Sequence, residues 1–172
     1  MKNFFTTAVL VLLTTTPARA QGIDHLSRGE GYCSFALGAG SVSANSGAVE
    51  HFGGGAEYIY KGVGIGGELG YAHWGRGAWG KAWVPSVDLS RHVLGDKTPT
   101  KIEPFVLIGV SAYIPTEPGA RGAPAVNFGG GVNFWLRKHT ALRAEFRDYV
   151  ALSPQLDPGR NYASFRIGLT FR

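Results

Sequence analysis

Three residues within five positions, Asp88, Ser90 and His92, combine the side chains of a serine-hydrolase triad. In such a triad the acid, the imidazole and the hydroxyl form one chain of hydrogen bonds that moves a proton to and from the nucleophile. The alternating residues around them predict a strand, in which neighbours on one face lie about 6.5–7 Å apart. Side chains at that spacing do not readily form such a chain, so we interpret the three residues as the polar lining of a strand face.

Carboxylates and guanidinium groups at alternate positions form the larger set of residues that could do chemistry. If they face a narrow interior, they must pair, because an isolated charge away from bulk water is costly. The first interpretation is a structural network that fixes the register of the strands, and the alternative is a gate or ion path. The residues predicted to form this interior charge network are Glu57, Glu68, Asp88, Glu103, Arg143, Glu145, Arg147 and Arg166.

Metal and cofactor sites are not indicated. His25, His51, His73 and His139 lack the spacing of metal ligands among themselves or with Cys33, the single cysteine, which also excludes an intramolecular disulfide. The glycine-rich segment 64–70 superficially resembles a dinucleotide-binding loop, but no helical pattern follows it. We therefore predict no metal and no cofactor.

Composition favours an all-β protein. The 172 residues include 26 glycines, about twice the average share of roughly 7%, and a glycine inside a helix costs about 1 kcal/mol relative to alanine. The 17 Lys and Arg residues exceed the 12 Asp and Glu residues, but they are scattered and form no run that would follow a phosphate backbone. Nucleic-acid binding is therefore not expected.

Eight segments alternate between apolar and polar residues with a period of two, which predicts strands. Each is about as long as the roughly 9–11 residues that cross a bilayer with tilt. An even number of such segments suits a closed, antiparallel up-and-down barrel. Alternation is weakest in the fifth segment, where Phe105 and Leu107 fall on the otherwise polar side. The predicted strands are 31–42, 48–60, 63–74, 78–92, 102–114, 125–136, 140–150 and 162–172.

Periodicity alone does not say which face of the barrel points inward. A soluble lipocalin-like barrel would turn its apolar face towards a cavity that binds a small hydrophobic ligand. The polar faces here carry mostly glycine, alanine and serine with a few charges, which suits a narrow lumen, and no segment predicts a helix that could span lipid instead. Aromatic residues near strand ends resemble the girdles of membrane barrels: Tyr58, Tyr60, Tyr71, Trp74, Trp79 and Trp83. The sequence thus predicts an eight-stranded transmembrane β-barrel.

The last two segments carry a family resemblance. In the final one, Phe165, Ile167, Leu169 and Phe171 alternate with polar residues and glycine, and the pattern between Tyr162 and Phe171 resembles the C-terminal signal strand of bacterial outer-membrane barrels. Residues 142–149 resemble the penultimate strand of the small OmpA-like barrels. The family usually ends on the aromatic residue itself, whereas here Arg172 follows Phe171.

The resemblance implies a structural or surface role in the outer membrane of a Gram-negative-type bacterium. It also implies contact with outer-membrane lipids and insertion by the barrel-assembly machinery through the strand between Tyr162 and Phe171. A monomer without enzymatic activity is expected. Outer-membrane lipid A deacylases carry a His-x-Ser pair on a barrel strand, whereas Ser90 and His92 occur here in the opposite order.

The N-terminal segment has the pattern of a signal peptide. Lys2 provides the positive charge, an apolar run follows, and Ala18 and Ala20 form an A-x-A cleavage site. We therefore expect a signal peptide at 1–20 and the barrel domain at 21–172. With the N-terminus in the periplasm, the turns at 61–62, 93–101 and 137–139 face the periplasm. The predicted outer loops are 43–47, 75–77, 115–124 and 151–161.

Overall fold

The computed structural model describes residues 30–42, 48–74, 80–93, 101–152 and 161–172. The predicted signal peptide lies outside the described residues. Within them, eight antiparallel strands form one closed barrel in sequence order, and no helix is long and apolar enough to cross a membrane. The strands are β1 (Glu30–Val42), β2 (Ala48–Tyr60), β3 (Val63–Trp74), β4 (Lys81–His92), β5 (Ile102–Pro115), β6 (Ala123–Arg137), β7 (Thr140–Ala151) and β8 (Asn161–Phe171). The predicted all-β up-and-down barrel is confirmed.

Pairing between the first and the last strand closes the barrel. β1 runs antiparallel to β8 from the pair Cys33 and Phe171 to the pair Val42 and Tyr162. Each described strand therefore has a hydrogen-bonded neighbour on both sides, and the barrel has no open edge. This closure is what allows strands to lie in hydrocarbon, where unpaired backbone groups cost several kcal/mol each.

Local backbone geometry explains where the strands end. Lys61 and Gly62 have φ values of 51° and 77°, and two left-handed residues in succession form the tight turn whose twist matches a β-hairpin. The fourth strand was predicted around 78–92, and residues 78 and 79 lie outside the described residues. Gly80 has a φ of 43°, which is incompatible with an extended strand, and β4 begins at Lys81. The loop predicted at 115–124 is shorter, because β5 continues to Pro115 and β6 begins at Ala123.

Large apolar side chains point away from the barrel axis. Phe35 is 62% exposed, Leu37 69%, Leu136 66% and Phe165 54%. A lipocalin-like barrel would bury these side chains around a cavity, so that alternative is wrong. The outward face is instead an apolar belt, as in barrels that contact lipid tails.

Aromatic residues lie towards both ends of the apolar belt. Tyr58 and Tyr60 are exposed close to the 61–62 turn. Towards the other end, Phe52, Tyr71 and Trp83 form a row with ring centroids 5.2 and 5.1 Å apart. Four of the six predicted girdle residues thus lie on the outer surface, whereas Trp79 and the side chain of Trp74 lie outside the described part of the chain.

The position of the belt predicts that a charged residue on the outer surface lowers the stability of the barrel more near the middle of the membrane than near its boundary. Leu69, near the middle of β3, and Val63, at its start, are 55% and 52% exposed. We expect Leu69→Arg to destabilise the barrel folded in lipid vesicles by about 2–4 kcal/mol, and Val63→Arg by at most about 1 kcal/mol. Urea unfolding in vesicles measures both. Equal costs at the two positions would contradict the assignment of the belt.

Candidate functional site

Six strands bring the eight predicted charged residues into the barrel interior. Each of these side chains lies at an inward position, and Arg147, Arg166 and Glu145 are at most 2% exposed. The neighbouring inward positions are mostly small, which leaves room for long side chains across the lumen. The contributing strands are β2 with Glu57, β3 with Glu68, β4 with Asp88, β5 with Glu103, β7 with Arg143, Glu145 and Arg147, and β8 with Arg166.

Glu145 is the centre of the larger group. Its two carboxylate oxygens accept hydrogen bonds from Nε of Arg143 and Nε of Arg147, each at 2.8 Å. Arg166, on the adjacent strand β8, also donates to this carboxylate through Nη2. Three guanidinium groups therefore converge on one buried carboxylate.

Two further carboxylates balance the charge of the three arginines. Arg147 lies 2.9 Å from Asp88 on β4 and 3.5 Å from Glu68 on β3, and Arg166 donates two hydrogen bonds to Glu68. The group then contains three acids and three guanidinium groups, so it is formally neutral. We call these six residues the central cluster: Glu68, Asp88, Arg143, Glu145, Arg147 and Arg166.

The other two predicted residues belong to a second group, near the end of the barrel that carries the 61–62 turn. Oε1 of Glu103 lies 2.7 Å from Nδ1 of His92, while its other oxygen accepts hydrogen bonds from Tyr32 at 3.0 Å and Trp135 at 2.9 Å. The second ring nitrogen of His92 lies 3.3 Å from Glu57. One imidazole is thus held between two carboxylates, and we call this group the His92 cluster.

These contacts decide the triad question for Asp88, Ser90 and His92. The Ser90 hydroxyl donates to Glu57, both imidazole nitrogens of His92 face carboxylates, and Asp88 pairs with Arg147. The three side chains therefore form no hydrolytic chain. This agrees with their interpretation as polar lining.

An aromatic and apolar layer fills the opposite end of the lumen. Tyr149 and Tyr162 stack with ring centroids 5.1 Å apart, and the Tyr162 hydroxyl lies 2.7 Å from Nδ1 of His51. Val49 and Val84 pack into the same buried cluster. The sequence analysis did not assign His51 or Tyr162 to a group of interior side chains. His51 lies an even number of residues from Glu57 on β2, and Tyr162 an even number from Arg166 on β8, and this spacing could have placed both inside.

Glycines opposite the charges make these interior groups possible. A Cβ at Gly53 would lie 3.0 Å from Oε1 of Glu68, and a Cβ at Gly131 would lie 2.8 Å from the ring of Phe105. Side chains at Gly64 and Gly109 would overlap Glu57 and Asp88. The glycines on the polar face therefore leave the space that large side chains from the neighbouring strand occupy.

A small cavity separates the central cluster from the His92 cluster. Its volume of about 30 Å³ suffices for one or two water molecules. Its walls include Glu57, Ser90, Asp88, Arg143 and Arg147. Among the described residues no group of histidine, cysteine and carboxylate side chains could hold a metal ion. The interior is thus suited to ion pairing and to holding water.

Comparison with known proteins identifies the fold. No protein-family model matches the chain, and no curated protein matches its sequence. The crystal structure of Neisserial surface protein A (NspA) is similar with a TM-score of 0.66 and 11% identity, over 83% of this chain and 97% of that one. The N-terminal β-barrel domain of Pseudomonas aeruginosa OprF is similar with a TM-score of 0.56 and 17% identity, over 83% and 99%.

A third similar structure is that of an enzyme. The outer membrane enzyme PagL has a TM-score of 0.56 and 13% identity, over 80% of this chain and 98% of that one. The chain therefore has the fold of the small eight-stranded outer-membrane β-barrels, as the OmpA-like resemblance implied. This fold supports both enzymes and other proteins, so activity must be argued from the interior itself.

The convergence on Glu145 predicts a large cost when its charge is removed. In Glu145→Gln, three buried guanidinium groups lose the acid they share, and breaking a buried pair in this way costs about 3–5 kcal/mol. The matched control is Glu50→Gln, since Glu50 is 83% exposed, and its cost is expected to stay within about 0.5 kcal/mol. Urea unfolding in vesicles measures both, and similar costs for the two variants would contradict the central position of Glu145.

Proposed function

We propose that the chain is an integral outer-membrane protein whose interior is closed by its charge network and whose role is structural or at the cell surface. Residues 1–20 direct export and are removed, and the barrel-assembly machinery inserts the chain through β8. The protein is a monomer surrounded by outer-membrane lipids. The support for this location is the apolar belt together with the fold shared with outer-membrane barrels.

The closed lumen is supported by three groups of side chains that follow one another along the barrel axis and fill the interior. The His92 cluster occupies one end, the central cluster the middle, and the layer with Tyr149 and Tyr162 the other end. An eight-stranded barrel is about filled by its own side chains. Such an interior resists passage of solutes and holds the strands in one register.

The proposal includes the absence of enzymatic activity. Ser90 and His92 are the hydroxyl and the imidazole that the sequence suggested for catalysis. Both contact carboxylates instead of each other, which supports this part of the proposal. A surface role would then depend on the loops at the end opposite the 61–62 turn. In the described part of these loops, Glu117 and Arg121 are exposed and available for contacts.

A second candidate is a narrow, gated channel. The cavity beside Arg143 and Arg147 favours it, because side chains that move into this space would open a gap between the two clusters. Glu68 already contacts both Arg147 and Arg166, so an exchange of partners requires little movement. Gating would proceed by such an exchange.

Heat-modifiability tests the membrane barrel. The mature protein, extracted from membranes in mild detergent, is expected to migrate differently on SDS gels before and after boiling, because a closed barrel resists SDS until heated. It should also sediment with outer membranes. A protein that is soluble without detergent and shows no change in mobility would contradict the proposal.

Planar-bilayer recording separates the closed barrel from the channel. For a closed lumen we expect no discrete conductance steps from the wild type. Discrete steps that disappear in Arg143→Ala or Arg147→Ala would favour the gated channel instead. Arg121→Ala, which alters an exposed loop residue, is the matched control and should leave either result unchanged.

A further inference from the structure

One rim of the barrel collects basic side chains. This rim contains the start of β1 at Glu30, the 61–62 turn, the ends of β4, β6 and β8, and the starts of β5 and β7. Among the residues whose side chains the structure describes, no exposed carboxylate side chain lies there, since Glu103 is only 3% exposed and is hydrogen-bonded inside the lumen. We call the following six residues the basic rim: Lys61, Arg91, Lys101, Arg137, Lys138 and Arg172.

The opposite rim has a mixed charge. Its exposed cations in the described residues, Lys81 and Arg121, are accompanied by the exposed acids Glu50 and Glu117. Glu50 also lies 3.5 Å from Nδ1 of His73. Among the described side chains, the basic rim therefore carries an excess of positive charge, whereas the exposed charges of the opposite rim balance.

The cations of the basic rim lie at the boundary of the apolar belt. Within two residues of them in sequence are Val63, Ile102, Leu136 and Phe171, which are all exposed and face outward. Nζ of Lys61 lies 5.1 Å from the centre of the Tyr60 ring, an aromatic side chain of the girdle. Side chains at this depth reach the headgroup level of a bilayer whose tails cover the belt.

The distribution of the cations around the circumference suits many small anions better than one compact partner. Lys61 follows β2, Arg91 lies in β4, Lys101 precedes β5, and Lys138 connects β6 and β7. Lysine and arginine both bind phosphate groups. A circle of cations directly beside an apolar surface matches the phosphate and the acyl chains of phospholipids that surround the barrel.

We propose that the basic rim binds the headgroups of anionic phospholipids in the membrane leaflet that it faces. In the orientation of the proposed function this is the periplasmic leaflet, and the inference rests on that proposed membrane insertion. Binding is electrostatic, at a surface exposed to water, and is therefore weakened by salt. Headgroup binding fixes the depth of the barrel in the membrane and favours anionic phospholipids among the lipids that surround it.

The test compares the folded protein in two kinds of vesicle. One contains phosphatidylcholine alone, and the other contains phosphatidylcholine with a minor share of phosphatidylglycerol. The measurement is the temperature at which half of the protein loses the mobility of the unboiled form on gels. Phosphatidylglycerol is expected to raise this temperature at low salt, and high salt is expected to abolish the increase.

Matched variants test whether the increase in midpoint temperature caused by phosphatidylglycerol depends on the basic rim. Lys101→Gln with Lys138→Gln removes two of the six rim cations and should reduce the increase by about a third. Lys81→Gln with Arg121→Gln removes the same charge from the opposite rim and should leave the increase unchanged. Lys101→Arg with Lys138→Arg retains the charge and should retain the increase, which separates loss of charge from damage to the turns.

The possible results distinguish this inference from the proposed function. Equal reductions in the two glutamine variants, an increase that survives high salt, or the same increase on adding inorganic phosphate to phosphatidylcholine vesicles would each overturn the inference. A protein that folds in both vesicles with equal stability also overturns it but leaves the proposed function intact. Failure to fold in either vesicle contradicts the proposed function and this inference with it.

Discussion

Inside a bilayer no water satisfies the peptide groups, so each strand needs a hydrogen-bonded partner on both of its sides. The pairing of β1 with β8 meets this requirement for the whole sheet. Closing the sheet also defines an interior, which only the side chains at alternate positions reach. The pairing of β1 with β8 therefore determines that the charges lie inside the barrel and the apolar belt outside. The two-residue turn at Lys61 and Gly62 contributes by fixing the register of one hairpin.

The interior combines long charged side chains with glycines that have none. Desolvation makes each isolated charge unfavourable, and the three acids and three arginines of the central cluster offset one another in a neutral group. Close approach between them requires space, which Gly53 and Gly109 provide opposite Glu68 and Asp88. The large number of glycines is therefore explained by packing of the lumen as well as by the turns.

Much of the fold followed from alternation alone, because a barrel strand buries one face and exposes the other. The bounds of β2 and β3 are those predicted, and the assignment of Phe165 and Arg166 to opposite faces is confirmed. Alternation does not determine which residues meet across the lumen. Glu68 and Arg166 are 98 positions apart, and their contact depends on strand tilt and stagger, which the sequence does not display.

The chemical character of the lumen was also only partly predicted. Phe105 and Leu107 looked like exceptions in the fifth segment, yet both are buried inside, where Phe105 stacks on His92 and lies 4.0 Å from the guanidinium of Arg143. The basic residues appeared scattered because the chain returns to the same rim only after two strands. Three-dimensional closure therefore produces both the aromatic packing inside and the concentration of charge at one end.

The central cluster also has a consequence for the order of folding. It joins β3 and β4 to β7 and β8, so its ion pairs link parts of the chain that are 59 and 98 residues apart. Contacts of such long sequence separation form slowly, because the loop-closure entropy must be overcome before any stabilisation is gained. Glu68 and Asp88 therefore reach their arginines only when β3 and β4 meet β7 and β8 across the lumen, whereas Glu145 contacts its three arginines within the β7–β8 hairpin. A partly assembled sheet therefore lacks the ion pairs to Glu68 and Asp88, and the closed barrel gains them last.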